Sequence, residues 1–105
     1  MPRFPEELSD VTGFQWDQGN ARKNRELHQV SQAECEEVFF NRPLLVAPDE
    51  THSQGEPRYA GLGQTNGGRR LTIIFTKRST LIRVISARDM SRRERTVYEQ
   101  ASESR

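Results

Sequence analysis

The chain of 105 residues has one cysteine, Cys35, and no long apolar run. One cysteine excludes an intramolecular disulfide and a zinc site built from several cysteines, so we expect a reducing compartment. No segment approaches the ~18–20 apolar residues that a membrane-spanning helix needs, and the N-terminal segment has no apolar signal core. These absences predict a cytoplasmic protein with no membrane partner.

Apolar residues are also scarce, at 32% of the chain against 30% charged, so the predicted core is modest. The length fits one domain. We expect that domain over residues 13–101, after a flexible leader at residues 1–12 and before a frayed tail at residues 102–105.

The net charge of +1 conceals a strong asymmetry along the chain. Residues 69–95 carry nine basic side chains and two acidic ones, for a net charge of +7, whereas residues 1–68 carry a net charge of −5. A concentrated positive charge is typical of a surface that binds nucleic acid. An acidic protein partner, or arginines that only keep the surface soluble, would give the same composition.

Two capping boxes predict the starts of two helices. The first spans residues 31–34, and its helix should end at Asn41 because Pro43 disfavours a helical residue before it. Cys35 lies in the first turn of that helix, where a small core residue is a better interpretation than a nucleophile. The second box spans residues 91–94 and predicts a helix from about Arg92 to Ala101.

A weaker helix is predicted over residues 18–28, with Asp17 as its N-cap. The strands predicted from alternation and turn signals lie at residues 13–16, 44–47 (an edge strand), 58–65, 70–76 and 81–87. Residues 66–68 form the turn of a hairpin. In the last strand, simple alternation puts Ile82, Val84 and Ser86 on one face and Leu81, Arg83 and Ile85 on the other.

Together these patterns predict an α+β fold, and the residues carry a family likeness over positions 14–99. The matching segments are Phe14-x-Trp16-Asp17, Asn24-x-x-x-His28-x-Val30-Ser31, Ala33, Val38-Phe39, Asp49-x-x-His52-Ser53-x-Gly55-Glu56-x-Arg58, Gly63, Gly68-Arg69-x-Leu71, Phe75-Thr76-x-Arg78, Arg83-x-Ile85-Ser86-Ala87-Arg88 and Arg92-Arg93-Glu94-Arg95-x-x-Tyr98-Glu99.

In sequence, spacing and order, these segments resemble the BrnT toxin family. The resemblance implies a RelE-like fold: a small, mainly antiparallel curved sheet with two N-terminal helices and one C-terminal helix. It also implies a ribonuclease toxin of a type II toxin–antitoxin system, which inhibits translation by RNA cleavage and uses no metal or other cofactor. The implied partner is a BrnA-type ribbon-helix-helix antitoxin, and operator DNA is bound only through the toxin–antitoxin complex.

Within that family likeness, four residues are candidates for catalysis. Cleavage by the RNA's own 2′-hydroxyl needs oriented cations, and Arg83 and Arg88 can supply bidentate contacts to phosphate. His28 and Tyr98 are the candidates for proton transfer. Two alternatives remain open: Tyr98 as a core residue, and His28 as an exposed imidazole at a helix C-terminus.

Six further cations are candidates for binding RNA phosphates. Arg92, Arg93 and Arg95 crowd the first turn of the last helix, where the helix dipole disfavours cations unless an anion binds there. The other three candidates are Arg70, Lys77 and Arg78.

The sequence departs from the family pattern at three positions. Family members usually have a lysine where Leu27 stands, a glycine where Gln29 stands, and often a lysine near Asn20. If the first lysine takes part in catalysis, this copy is weakened or inactive. The alternative function is therefore a degenerate, non-enzymatic homologue that regulates by binding an antitoxin or nucleic acid.

Overall fold

A computed structural model describes residues 8–19, 22–23, 28–49 and 55–103. Seven helices and strands follow one another in these residues. They are β1 (Gly13–Gln15), α1 (Gln32–Phe40), β2 (Leu45–Pro48), β3 (Arg58–Gln64), β4 (Arg70–Arg78), β5 (Leu81–Asp89) and α2 (Arg92–Glu103).

The five strands form one sheet in the order β1-β5-β4-β3-β2. Strands β2 to β5 pair antiparallel with their neighbours in the sequence, as short connections allow. Strand β1 pairs in parallel with β5, so that Phe14 lies opposite Ile82. The sheet is therefore mixed.

This architecture corrects the predicted fold class. Within the described residues, one helix lies in the middle of the chain and one at the C-terminus, rather than two N-terminal helices and one C-terminal helix. Residues 20–21 and 24–27 of the helix predicted over residues 18–28 lie outside the described residues. The parallel pairing of β1 was missed because it joins positions 68 residues apart, and local patterns do not encode such a contact.

Both predicted capping boxes are confirmed. The backbone N–H of Glu34 donates to Ser31 Oγ at 3.1 Å, and its carboxylate accepts from the Ser31 N–H at 3.0 Å. Ser91 and Glu94 repeat the arrangement at the start of α2, at 3.1 and 2.8 Å. Helix α1 ends at Phe40, one residue before the predicted Asn41, which is its C-cap, and α2 runs two residues further than predicted. Neither of these helices is long and apolar enough to cross a bilayer.

Helix α1 packs on one face of the sheet. It buries Cys35, Val38 and Phe39, and the Phe39 ring meets the Phe75 ring edge-on with 5.1 Å between the centroids. The helix comes close to β3 because Gly63 has no side chain: a Cβ there would lie 2.6 Å from Cγ1 of Val38. Buried residues of β4 and β5 complete this core, namely Leu71, Ile73, Phe75, Ile82, Val84 and Ala87.

Strand β5 contains a bulge that the simple alternation did not predict. Ser86 pairs with Ile74 and Val84 pairs with Phe75, which leaves Ile85 without a partner. The extra residue changes the alternation of faces. Arg83 lies opposite Thr76 and Arg88 lies opposite Thr72, and these two threonines are four residues apart on one strand. Arg83 and Arg88 therefore point to the same side of the sheet, which we call the arginine face.

Candidate functional site

Arg88 is held at the end of the arginine face by a carboxylate. Its Nη1 and Nη2 donate to the two oxygens of Glu94 at 2.8 and 3.0 Å, and Nη1 also donates to the Asp89 carbonyl at 3.2 Å. The side chain is 41% exposed. No described residue accepts a hydrogen bond from Nε, so the outer edge of the guanidinium is free to bind an anion.

Glu94 connects this arginine to the start of α2. Its carboxylate accepts hydrogen bonds from Arg88, the Ser91 N–H and, at 2.8 Å, the Thr72 hydroxyl. The Arg88 guanidinium, followed by these other donors, lowers the pKa of Glu94 to about 2. Glu94 is therefore ionised at neutral pH and fixes the direction of Arg88.

Arg83 is held at the other end of the arginine face by Asp17, with which it forms an ion pair. Asp17 follows β1 by two residues, and Gln15 of β1 lies directly opposite Arg83. The sequence suggested Asp17 only as a helix cap. Asp17 comes close to Arg83 only through the parallel β1–β5 pairing, so this ion pair could not be predicted from the sequence.

The first turn of α2 presents the cations that were predicted to bind phosphate. Arg92, Arg93 and Arg95 are exposed. Arg95 is close enough to Asp89 to help lower the pKa of that carboxyl group. Arg92 and Arg93 have no ionic partner among the described residues, so their charge adds to the positive end of the helix dipole.

An open groove of about 570 Å³ lies between the side of α2 and the adjoining ends of β4 and β5. Residues Gly68, Arg70, Asp89, Met90, Arg95 and Glu99 line it. The Arg70 guanidinium pairs with Glu99 and lies over the Tyr98 ring, 5.7 Å from its centroid. The groove thus joins Arg70 and Arg95 at the end of β5 that carries Arg88.

Tyr98 lies in the core, a position that does not favour its predicted role in proton transfer. The side chain is fully buried, and its hydroxyl donates to the Pro43 carbonyl at 2.7 Å. A hydroxyl in this position has no access to a substrate at the surface. The alternative of core packing, which the sequence left open, fits the geometry.

His28 is exposed and lies near the end of β5. Its carbonyl accepts a hydrogen bond from Arg69 Nη2 at 3.0 Å. Its imidazole is close enough to Asp89 to contribute to the lowered pKa of that carboxyl group, after the larger effect of Arg69. His28 and Arg88 are thus brought to the same end of the sheet, although they are 60 residues apart in the sequence.

Lys77 and Arg78 lie at the opposite end of the β4–β5 hairpin. Lys77 pairs with Asp10, and Arg78 pairs with Glu56 at 3.2 Å. Arg70 and Arg78 are the two ends of β4, eight residue steps or roughly 26 Å apart. The predicted phosphate-binding cations therefore form two groups, and only Arg70, Arg92, Arg93 and Arg95 lie near Arg88.

Other potentially reactive groups give no second site in the described part of the chain. Cys35 is buried, and this burial raises the pKa of its thiol to about 12, which confirms it as an inert core residue. No three His, Cys, Asp or Glu side chains of the described residues lie together as metal ligands. Leu27 and His52 lie outside the described residues.

The sequence and the fold were compared with those of known proteins. The family model for "Ribonuclease toxin, BrnT, of type II toxin-antitoxin system" matches residues 16–94. The fold is similar to the crystal structure of the ribonuclease toxin BrnT from Brucella abortus, with a TM-score of 0.61 and 23% identity over 78% of this chain and 100% of that chain. At this identity the structural match shows the fold alone, and no curated protein sequence matches significantly.

The fold is thus similar to that of a small ribonuclease toxin. Because the family model spans most of the sequence, the chain belongs to the BrnT family of ribonuclease toxins of type II toxin–antitoxin systems. The resemblance found in the sequence is confirmed. Membership implies an RNA substrate and an antitoxin partner.

Proposed function

We propose that this protein is an endoribonuclease toxin that cuts RNA without a metal ion and thereby inhibits translation in the cytoplasm. The observation that carries the proposal is the bulge at Ile85, which puts Arg83 and Arg88 on one face of β5. Three residues separate Arg88 from the basic start of α2. A phosphate at this end of the sheet meets several cations that are already oriented by the fold.

RNA cleavage by the neighbouring 2′-hydroxyl suits a site built from oriented cations. The 2′-hydroxyl oxygen of a ribose attacks the neighbouring phosphorus, and the bond from phosphorus to the 5′-oxygen breaks. The products carry a 2′,3′-cyclic phosphate and a 5′-hydroxyl. Negative charge accumulates on the phosphoryl oxygens in the transition state, and guanidinium groups stabilise it by bidentate hydrogen bonds. The free Nε edge of Arg88 is available for that contact.

Two proton transfers accompany the bond changes: one away from the 2′-hydroxyl and one towards the leaving 5′-oxygen. His28 is the proposed acid–base group because it is exposed and lies at the same end of the sheet as Arg88. Tyr98 contributes indirectly, since its ring supports the Arg70 guanidinium.

The remaining cations bind the RNA strand on either side of the cleaved bond. Arg70, Arg92, Arg93 and Arg95 contact phosphates near Arg88. Lys77 and Arg78 contact the strand further along, at the turn of the β4–β5 hairpin. This division follows from the roughly 26 Å between the two ends of β4.

The proposed partner is a BrnA-type ribbon-helix-helix antitoxin that covers the basic side formed by β4, β5 and α2. By covering these cations it blocks access of RNA. The antitoxin supplies the DNA-binding part, so that operator DNA is bound only by the complex.

A second candidate is a non-enzymatic homologue that regulates by binding antitoxin or nucleic acid. It is favoured by the pairing of Arg70, Arg83 and Arg88 with Glu99, Asp17 and Glu94. Each of these carboxylates competes with phosphate for its arginine. Leu27 also favours the non-enzymatic candidate, because it stands where the family usually has a lysine.

Incubation of the purified protein with 5′-labelled RNA in EDTA separates the two candidates. The proposed toxin generates fragments that end in a 2′,3′-cyclic phosphate, and the double variant Arg83→Ala/Arg88→Ala, purified in parallel, does not. Binding without cleavage supports the regulatory module. If only the Leu27→Lys variant cleaves RNA, the other catalytic residues are functional and the natural sequence lacks one required cation.

A further inference from the structure

Arg69 donates hydrogen bonds to four different residues. Its Nε and Nη2 donate to the two oxygens of Asp89 at 2.8 and 3.1 Å. Nη1 donates to the Gln29 carbonyl at 2.7 Å and to Glu34 Oε2 at 3.4 Å, and Nη2 also donates to the His28 carbonyl at 3.0 Å. All five N–H groups of the guanidinium are therefore engaged.

This complete engagement separates Arg69 from the arginines of the proposed site. Arg88 keeps a free edge for an anion, whereas Arg69 has no N–H left to donate. Its charge is also balanced by the carboxylates of Glu34 and Asp89, which raise its pKa. Arg69 is thus unsuited to bind RNA phosphate directly, although it lies within the basic half of the sequence.

The partners of Arg69 come from three separate parts of the fold. His28 and Gln29 precede α1, Glu34 is in the first turn of α1, and Asp89 is the last residue of β5, directly after Arg88. Arg69 itself precedes β4. Its guanidinium is the group that ties the backbone of His28 to the strand end that carries Arg88.

The backbone at this point also needs support. Gln29 has a φ of 56°, in the left-handed region that disfavours residues other than glycine. Its carbonyl accepts the shortest of the Arg69 hydrogen bonds. The contact holds the chain in a conformation that places His28 beside β5.

We infer that Arg69 is a positioning residue of the RNA-cleaving site: it fixes His28 relative to Arg88 and does not itself touch RNA. The inference rests on the proposed function. Replacing Arg69 should therefore lower turnover and leave RNA binding unchanged. The reason is that Arg69 positions His28 and makes no contact with RNA.

The test compares Arg69→Lys with the parent protein. A lysine keeps the positive charge but has only three donors and no planar fork, so it cannot hold all four partners. We expect kcat to fall by about tenfold or more while KM stays within twofold. Arg42→Lys is the matched control, since Arg42 also donates to two backbone carbonyls, those of Phe39 and Asn41 at the end of α1. Circular dichroism establishes that each variant is folded at the assay temperature.

A second readout needs no RNA. We expect the imidazole signals of His28 in a proton–carbon correlation spectrum to move towards their random-coil positions in Arg69→Lys and to stay in place in Arg42→Lys. A folded Arg69→Lys protein with the parent's kcat, or with unchanged His28 signals, overturns the inference. If the parent does not cleave RNA, the proposed function fails, and the spectrum alone decides whether Arg69 fixes His28.

Discussion

At the scale of single residues, the number of hydrogen-bond donors left over decides what each arginine can do. Arg69 has none left, and its partners make it a structural cross-link. Arg88 is oriented by Glu94 and keeps one edge free. Arg92 and Arg93 have no ionic partner in the described residues. Composition could identify the basic segment. Only the contacts show which arginines are fully hydrogen-bonded, which keep a free edge and which have no ionic partner.

Gln29 gives a prediction about stability. Its φ of 56° costs about 1–2 kcal/mol for a residue with a Cβ, and glycine would remove that strain at an entropic cost of roughly 0.5–1 kcal/mol. Gln29→Gly should therefore stabilise the fold by up to about 1 kcal/mol and raise the thermal midpoint by a few degrees. Circular dichroism during heating measures the change.

Two further variants serve as references for Gln29→Gly. Ser79 has the same φ of 56°, so Ser79→Gly should shift the midpoint in the same direction. Gln100 lies inside α2, where glycine should destabilise the fold by about 1 kcal/mol. A lower midpoint for Gln29→Gly would mean that the side chain contributes more than the backbone strain costs.

At the scale of elements, the sequence was most informative where a local pattern sets the structure. Each capping box specified the start of a helix, and alternation together with the turn at residues 66–68 located the hairpin strands. The bulge at Ile85 and the parallel pairing of β1 were not predictable, because both depend on contacts between distant segments. The bulge brings Arg88 onto the same face as Arg83, and the pairing of β1 gives Arg83 its partner Asp17.

The capping box of α2 gives a prediction about pH. The folded protein holds the pKa of Glu94 at about 2, below its ordinary value of 4.5, so the ionised carboxylate stabilises the folded state. That contribution is fully present above about pH 4.5 and is lost as the pH falls from there towards 2. Urea unfolding at several pH values should show stability falling across this window.

Glu94→Gln is the comparison for this pH prediction. The variant should be less stable at pH 7 and should lose less stability between pH 4.5 and 2, because the glutamine does not titrate. Asp89 and Glu34 also have lowered pKa values, so some loss remains in the variant. Parallel pH dependences for the two proteins would contradict a stabilising role of the ionised Glu94.

At the scale of the whole molecule, the charge asymmetry gives a prediction about the antitoxin. The net charge of +7 over residues 69–95 is carried by β4, β5 and the start of α2, which lie together in the fold. Because opposite charges steer protein encounters, the association rate with the antitoxin should fall as the salt concentration rises. Stopped-flow measurements from low to high ionic strength would test this, and a rate independent of salt would place the antitoxin on another surface.

Turnover and RNA affinity, measured separately for Arg83→Ala and Arg88→Ala, test the central claim most directly. If these arginines stabilise charge in the transition state, each substitution lowers the cleavage rate by ~10²–10³-fold and changes RNA affinity far less. Arg22→Ala, at an exposed position outside the proposed site, is the control and retains the parent's rate. Folded alanine variants that cleave RNA as fast as the parent would place the catalytic site elsewhere.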